Sequence, residues 1–234
     1  MTDERRTALV TGSAGGIGRQ IALELQAAGL DVVGADRVAQ TDGALTRTLV
    51  VDLADAAACE AAMADVGRVD VLVNNASVLV DRPLDAMELM DFEVLFNVNL
   101  RAPVLLTRAV LPAMARRGWG RIVNLSSVGA RTGGLSQSAV YNMTKAGLGS
   151  FTRFVARHYA DSGITSNAVA PGGVETGMTA HLDDEMRAAI VRQIPVGRMA
   201  APSEVASAVV FLASDGAAFV NGVTLDVNGG WVMV

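Results

Sequence analysis

The stretch YNMTK places a phenol, Tyr141, four residues before an ammonium, Lys145, in a segment whose apolar residues recur at helical spacing. On a helix this spacing puts both groups on one face, one turn apart. A phenol with its ordinary pKa of about 10 is a poor base near neutral pH, and a neighbouring positive charge favours the phenolate. The pair could therefore supply proton transfer, provided that the rest of the chain brings a reaction to that face.

The composition narrows the classes of protein to which the chain can belong. Its 234 residues carry a formal net charge of -5 and no long Lys/Arg cluster, which argues against nucleic-acid binding. The lone Cys59 leaves no disulfide framework and, with only two histidines, argues against a zinc site, so we expect no metal. No apolar run reaches about 18 residues, and the N-terminus lacks the pattern of a signal peptide. We expect a cytoplasmic protein with no membrane partner.

Short apolar runs alternate with longer segments of helical period along the chain. Strand and helix in alternation predict a parallel sheet with helices on both faces. No Pro- or Ser-rich linker divides the chain, so we predict one α/β domain over residues 1–234. The predicted strands cover residues 7–11, 31–35, 48–51, 70–74, 121–125 and 164–169.

A glycine-rich turn, TGSAGGIG, directly follows the first predicted strand and leads into a helix. Glycines at such a turn allow a tight backbone, let a pyrophosphate approach the main chain and leave the helix N-terminus open to an anion. Its placement at the start of a βαβ unit makes the motif more specific than glycines alone. The turn predicts a dinucleotide site that includes Gly12, Ser13, Gly15, Gly16, Ile17 and Gly18.

Acidic residues follow the second and third predicted strands. Asp36 lies about 18 residues past the last glycine of the turn, where a carboxylate can accept hydrogen bonds from both hydroxyls of an adenosine ribose. Such a carboxylate repels a 2′-phosphate and favours NAD over NADP, whereas the adjacent Arg37 could pair with that phosphate or be a solvated loop charge. Asp52, with Leu53, could contact the adenine edge, or Asp52 could cap the helix that starts near Asp55.

Four motifs, in order, make the chain resemble the short-chain dehydrogenases/reductases over nearly its whole length. The glycine motif is TGSAGGIG, and NNAS at 74–77 stands where the family has N-N-A-G. The family's Y-x-x-x-K is matched by Tyr141 and Lys145, and its P-G motif by PGGVET at 171–176. The resemblance implies a single Rossmann-type doubly wound parallel sheet of about seven strands.

The resemblance also implies hydride transfer between an alcohol carbon and a nicotinamide, which leaves a proton to be handled. Because no zinc is expected, a side chain must do this. Tyr141 would be the acid/base, and Lys145 would lower its pKa and hydrogen-bond the nicotinamide ribose. That combination explains why one helical face carries both residues.

Two further catalytic residues are implied by the family pattern. Ser127 would hold the substrate oxygen, because its spacing to the tyrosine is close to the family's, and Ser126 is the alternative. Asn99 would hold a water of a proton relay behind the lysine, and Asn97 is the alternative.

The same pattern implies more cofactor contacts and a lid. Ser77 replaces the family's glycine and adds a side chain beside the nicotinamide ribose. Residues 177–198 follow where the family carries its substrate lid, although their apolar residues could equally form the buried stripe of a short helix. The remaining residues expected to bind the cofactor are Asn75, Ala76, Pro171, Gly172, Val174 and Thr176.

The choice among functions depends on these details. The chain after residue 168 most resembles 3-oxoacyl-(acyl-carrier-protein) reductases, which use NADPH and present basic residues to an acidic carrier protein. Asp36 argues against NADPH, and the stretches RRGWGR and ADSGIT are only partly basic. We therefore favour an NAD-dependent enzyme acting on a small secondary alcohol or ketone, with the carrier-protein reductase second.

Two expectations complete the reading of the sequence. A nucleotide-sensing regulator that no longer catalyses would have lost the tyrosine or the lysine, and both are present. The C-terminal NGVTLDVNGGWVMV resembles the family's ending, which packs across a subunit interface, so we expect a homotetramer or a homodimer.

Overall fold

The computed structural model describes residues 5–40, 45–134, 138–180 and 182–234. Each predicted apolar run forms a strand, and a seventh lies near the C-terminus. The strands are β1 (Thr7–Thr11), β2 (Asp31–Asp36), β3 (Arg47–Val50), β4 (Val71–Asn74), β5 (Gly120–Leu125), β6 (Ile164–Pro171) and β7 (Thr224–Val227).

The seven strands form one parallel sheet in the order β3-β2-β1-β4-β5-β6-β7. The central strands β4 and β5 are buried at every residue, as expected for strands covered on both faces. The predicted doubly wound α/β fold is therefore confirmed.

Helices cover both faces of the sheet. The longer ones begin after the strand ends, and one short turn of helix follows β5. They are α1 (Gly16–Ala27), α2 (Ala56–Val66), α3 (Leu89–Phe96), α4 (Ala102–Arg117), α5 (Gly129–Thr132), α6 (Ala139–Tyr159), α7 (Asp184–Val191) and α8 (Pro202–Ala213).

The hydrophobic core consists of two layers, one on each face of the sheet. On one face, α1 and α8 pack together and bury Ile21, Leu25 and Val209 against the strands. On the other face, α2, α4 and α6 bury residues such as Cys59 and Met114. Burial of a Val, Leu, Ile or Met side chain contributes about 1.5–3 kcal/mol, so these layers hold the helices against the sheet.

The strand order reverses at β1, because β2 and β3 lie on one side of β1 and the strands from β4 to β7 lie on the other. At such a switch point the loops after the strands leave toward opposite faces and open a crevice at the carboxyl ends. The loops after β1, β4, β5 and β6 meet at this crevice, which is where every predicted motif lies.

One helical run has an unusual section. α3 continues through a π-helical segment, Asn97–Arg101, into α4. By length and composition alone this run could span a membrane, yet half of its most apolar window is buried inside the protein, as in a core helix. π-helical turns often occur at functional sites, and this one contains Asn99.

Candidate active site

The glycine turn forms a tight cradle between β1 and α1. Gly12 and Gly16 have φ of +68° and +54°, a region that favours glycine. A Cβ on Gly18 would lie 2.0 Å from the Gly12 carbonyl oxygen, so only glycine fits there. The backbone of this turn can therefore come close to a bound pyrophosphate.

The N-terminus of α1 is open to an anion. Its first residues follow Gly15, no side chain caps the helix, and no acidic residue stands in its first turn. Four backbone N–H groups at a helix start lack partners within the helix, and together with the helix dipole they favour a phosphate. The donor set thus fits the dinucleotide that the family uses.

A carboxylate closes the cradle on the β2 side. Asp36 Oδ2 accepts a hydrogen bond from the Ala14 N–H (3.0 Å), and Oδ1 accepts one from the Val38 N–H (3.1 Å). These two bonds tie the end of β2 to the glycine turn. Ser13 is fully buried, and its Oγ accepts a hydrogen bond from Gln40 Nε2, so Ser13 supports the turn from behind.

The residues after β3 form a second cavity beside Asp36. Asp52 and Leu53 line this cavity together with Asp36 and Arg37. Asp52 does not cap α2, because Asp55 is its N-cap residue and accepts hydrogen bonds from two backbone N–H groups. Asp52 Oδ1 instead accepts a bond from the Ala54 N–H (2.9 Å). The capping alternative for Asp52 is therefore wrong.

Asn75 and Ala76, after β4, are held against the glycine turn. Both backbone N–H groups donate to Thr11 Oγ1 at 3.0 Å. The Asn75 side chain donates to the carbonyl oxygens of Thr11 and Gly12. Thr11, which sequence reasoning missed, therefore links the two loops that flank the crevice.

Ser127, after β5, faces Tyr141 in the first turn of α6. Ser127, Ser77 and Tyr141 line one cavity, and hydrogen bonding by the two serines acts to lower the pKa of Tyr141. The Ser127 Oγ also accepts a bond from the Gly129 N–H (3.1 Å). Ser126 faces away, because its Oγ donates to the Lys145 carbonyl oxygen (3.0 Å). Of the two serines, the structure thus brings Ser127 to the phenol.

Lys145 is buried one turn after Tyr141. Its Nζ donates to the Leu125 carbonyl oxygen (2.7 Å) and lies 5.6 Å from the centre of the Tyr141 ring. Burial lowers the pKa of Lys145 from 10.5 to about 7. The ammonium is held by the end of β5 and not by the phenol.

The pKa of Tyr141 differs from the sequence expectation. Burial raises this pKa above 10, and hydrogen bonds with Ser127 and Ser77 lower it by less. In the protein alone the pKa of Tyr141 is therefore raised and not lowered as expected, because desolvation of the phenolate outweighs the hydrogen bonds.

Asn99 lies behind Ser77 and is almost fully buried. Its amide group exchanges two hydrogen bonds with the Val78 backbone, and its Oδ1 also accepts from Ser77 Oγ. Asn97 begins the π-helical segment and has no such contact with the loop after β4 in the described residues. Of the two asparagines, Asn99 is the one whose side chain bonds Ser77.

The loop after β6 completes the crevice opposite the glycine turn. Val174 is buried and forms a backbone bridge to Ala200. The Thr176 N–H donates to Thr179 Oγ1 (3.0 Å), and a Cβ added at Gly16 would lie 3.6 Å from the Thr176 side chain, so this loop faces the glycine turn. The 3-10 turn Gly177–Thr179 lines this side of the crevice.

One cavity of about 530 Å³ joins these parts. Ser13, Asp52, Leu53 and Asn99 lie beside or behind it, in the places given above. Ser77 and Met178 line it in addition. The predicted residues that line it are Gly12, Gly15, Gly16, Ile17, Gly18, Asp36, Arg37, Asn75, Ala76, Ser127, Tyr141, Lys145, Pro171, Gly172, Val174 and Thr176.

This geometry is that of a nicotinamide-dependent oxidoreductase, and comparison with known proteins agrees. Residues 12–232 match the family model described as enoyl-(acyl carrier protein) reductase. A solved structure described as a short-chain dehydrogenase/reductase family protein is 37% identical, with a TM-score of 0.90 over 98% of each chain. The chain belongs to the short-chain dehydrogenase/reductase family, and it is an oxidoreductase that uses NAD(P).

Individual relatives differ in what they are named for. The 3-oxoacyl-[acyl-carrier-protein] reductase of Salmonella typhimurium is 42% identical over the full length of both chains. A provisionally assigned 2-deoxy-D-gluconate 3-dehydrogenase from Agrobacterium tumefaciens, solved with bound NADP, is 36% identical, with a TM-score of 0.90. The match covers 98% of this chain and 97% of that one.

Proposed function

We propose that the protein interconverts a small secondary alcohol and the corresponding ketone, with NAD as its preferred cofactor and Tyr141 as the acid/base. The observation that carries this proposal is the single cavity in which Tyr141, Ser127 and Lys145 lie at one end and the glycine turn at the other. A screen of secondary alcohols with NAD, and of ketones with NADH, tests it. Absence of turnover on every compound would contradict it.

Each side chain has one task in this proposal. The Ser127 hydroxyl donates a hydrogen bond to the substrate oxygen, while its Oγ accepts one from the Gly129 N–H. Tyr141 gives its proton to that oxygen in reduction and takes it back in oxidation. The cofactor, when bound, supplies or accepts the hydride. Lys145 would hold the nicotinamide ribose, and the Val174 and Thr176 loop would hold the carboxamide.

The two neighbouring serines allow a matched test. Ser127→Ala is expected to lower kcat on the order of 100-fold, because a donor to the substrate oxygen in the transition state is lost. Ser126→Ala removes only a bond to a helix carbonyl oxygen and is expected to cost less than about tenfold. Steady-state kinetics of both variants with one substrate make the comparison. A larger loss for Ser126→Ala would reverse the assignment.

The preference for NAD rests on Asp36. Its two backbone bonds hold the carboxylate at the end of β2, and each oxygen keeps a lone pair for a ribose hydroxyl. A 2′-phosphate at that place would meet this negative charge. The relative solved with bound NADP favours the other cofactor, and Arg37, which lines the same cavity, is the group that could pair with a 2′-phosphate.

We expect the protein to bind NADH at least tenfold more tightly than NADPH, about 1.4 kcal/mol. Asp36→Asn keeps the shape of the side chain and removes its charge, so the preference is expected to shrink or invert. Arg37→Ala, as the paired variant, is expected to weaken only NADPH. Titration followed by the fluorescence of the reduced nicotinamide measures all three. Tighter binding of NADPH by the unmodified protein would contradict the assignment of Asp36.

A second candidate is a 3-oxoacyl-(acyl-carrier-protein) reductase, favoured by the 42% identity to the Salmonella enzyme of that name. Against it, two arginines of the RRGWGR stretch are paired with acids: Arg117 with Asp70, and Arg121, which is buried, with Asp215. Such pairing weakens the field available to an acidic carrier. Reduction of a 3-oxoacyl thioester with NADPH, without oxidation of any secondary alcohol with NAD, would place this candidate first.

We propose a homotetramer, or a homodimer, as the working state, and the cytoplasm as its location. Large apolar side chains near the C-terminus are exposed, with Phe219 fully so and Met233 and Val234 each at 83%. The strand next to them, β7, is an edge of the sheet. Exposed apolar groups beside a free edge favour contact with another copy of the chain.

A further inference from the structure

Asn142 directly follows Tyr141 on α6, at a position that the Y-x-x-x-K pattern leaves open. Its side chain is buried, with 6% of the residue exposed, and a buried amide is costly unless it is hydrogen-bonded. The Nδ2 donates to the Gly133 carbonyl oxygen. Gly133 belongs to residues 127–134, the serine loop, which begins at Ser127. The amide of Asn142 therefore ties the helix that carries Tyr141 to the loop that carries Ser127.

The serine loop leaves room for this amide by carrying glycines around it. A Cβ added at Gly129 would lie 2.1 Å from Asn142 Oδ1, and a Cβ added at Gly134 would lie 2.2 Å from Asn142 Nδ2. Gly133 and Gly134 also have φ of +80° and +87°, a region that favours glycine. The loop and the amide are thus complementary in shape as well as in hydrogen bonding.

Gly129 connects the amide with the Ser127 hydroxyl. Its N–H donates to Ser127 Oγ (3.1 Å), while its Cα side faces Asn142 Oδ1. The next residue of the loop, Val128, is held from the other direction, because its N–H donates to the Pro171 carbonyl oxygen (2.9 Å). A displacement of Gly129 away from Asn142 would therefore move the donor that orients the Ser127 hydroxyl.

We propose that Asn142 is a positioning residue for Ser127: it holds the serine loop on α6 and so fixes the Ser127 hydroxyl relative to the Tyr141 phenol. Asn142 and Tyr141 are consecutive residues of one helix, so the loop that Asn142 holds keeps its place relative to the phenol. This inference rests on the proposed role of Ser127 as the donor to the substrate oxygen.

A kinetic double-mutant cycle tests whether Asn142 acts through Ser127. Asn142→Ala is expected to lower kcat on the order of tenfold, because a small misplacement of a group that contacts the substrate is costly. Ser127→Ala/Asn142→Ala is expected to have the kcat of Ser127→Ala within about twofold, since a hydroxyl that is absent cannot be misplaced. A merely structural role for Asn142 predicts that the two losses multiply. That result, or an unchanged kcat in Asn142→Ala, would overturn the proposal.

A second cycle tests the contact itself and needs no turnover. Gly129→Ala is expected to lower the Tm by about 5 °C at fixed protomer concentration, because its Cβ overlaps Asn142. In the Asn142→Ala background this loss is expected to shrink to less than about 2 °C, since the next neighbour of the Cβ is Ser127 Oγ at 3.5 Å. Gly149→Ala on the same helix is the matched control. Its Cβ would meet only Arg153 Nη1, at 3.8 Å, so its effect is expected to be equal in both backgrounds.

The two cycles separate failure of this inference from failure of the proposed function. An equal loss of Tm on Gly129→Ala in both backgrounds contradicts the tie between Asn142 and the serine loop, whatever the enzyme turns over. Coupled Tm values together with losses of kcat that multiply contradict the positioning role alone. A Ser127→Ala protein that keeps its kcat would contradict the proposed role of Ser127, and with it the positioning role, even where the Tm cycle shows that the contact exists.

Discussion

Tyr141→Phe is expected to lower kcat on the order of 1,000-fold in both directions, because it removes the proposed acid/base and leaves the ring in place. Binding of NADH is expected to change less than threefold, since the glycine turn and Asp36 are untouched. Steady-state kinetics and cofactor titration on the same preparations measure both quantities.

Tyr159→Phe is the matched control for this substitution. Tyr159 ends α6 and packs on the core layer with α2 and α4, so the same chemical change there is expected to leave kcat within twofold. A Tyr141→Phe protein that keeps a tenth or more of its kcat would contradict the proposed role. Intact NADH binding with no turnover in either protein would instead favour the nucleotide-sensing regulator.

The fold was predictable because its signals are local. Short apolar runs, helical periodicity and a glycine turn between them each occupy a few consecutive residues, and all six predicted strands are present. The site positions at strand ends followed for the same reason. In a parallel sheet the carboxyl ends share one edge, so the residues after β1, β4, β5 and β6 had to meet.

The details of the site depend on contacts between distant residues, which the sequence does not display. The raised pKa of Tyr141 comes from burial by several loops, and Lys145 binds a carbonyl oxygen 20 residues away. The π-helical register around Asn99 leaves no periodic trace in the chain. Ser77 was visible as a departure from the family pattern, yet its bond to Asn99 required the three-dimensional structure.

Lys145→Met is expected to lower kcat/KM on the order of 100-fold while it stabilises the cofactor-free protein. Burial lowers the pKa of Lys145 from 10.5 to about 7, which corresponds to roughly 5 kcal/mol of unfavourable charge burial. The variant also leaves the Leu125 carbonyl oxygen without its donor, at a cost of about 1–3 kcal/mol. A net gain of about 2 kcal/mol in unfolding free energy at about pH 6 remains.

The gain depends on pH in a defined direction. Below about pH 7 the lysine is charged in both the folded and the unfolded protein, so the full cost of burying the charge is present. Between about 7 and 10.5 the folded protein carries a neutral lysine and the unfolded chain a charged one, and the cost falls as the pH rises. The advantage of Lys145→Met is therefore expected to shrink from about pH 6 to about pH 9.

Denaturant titrations at fixed protomer concentration measure this difference. Leu148→Met, at a fully buried apolar position on the same helix, controls for the introduction of methionine, and its effect is expected to be independent of pH. If Lys145→Met is less stable than the unmodified protein at every pH, burial of the Lys145 charge does not destabilise the folded protein, and the prediction is contradicted. A more stable and inactive variant would mean that this chain keeps a costly buried charge because the reaction needs it.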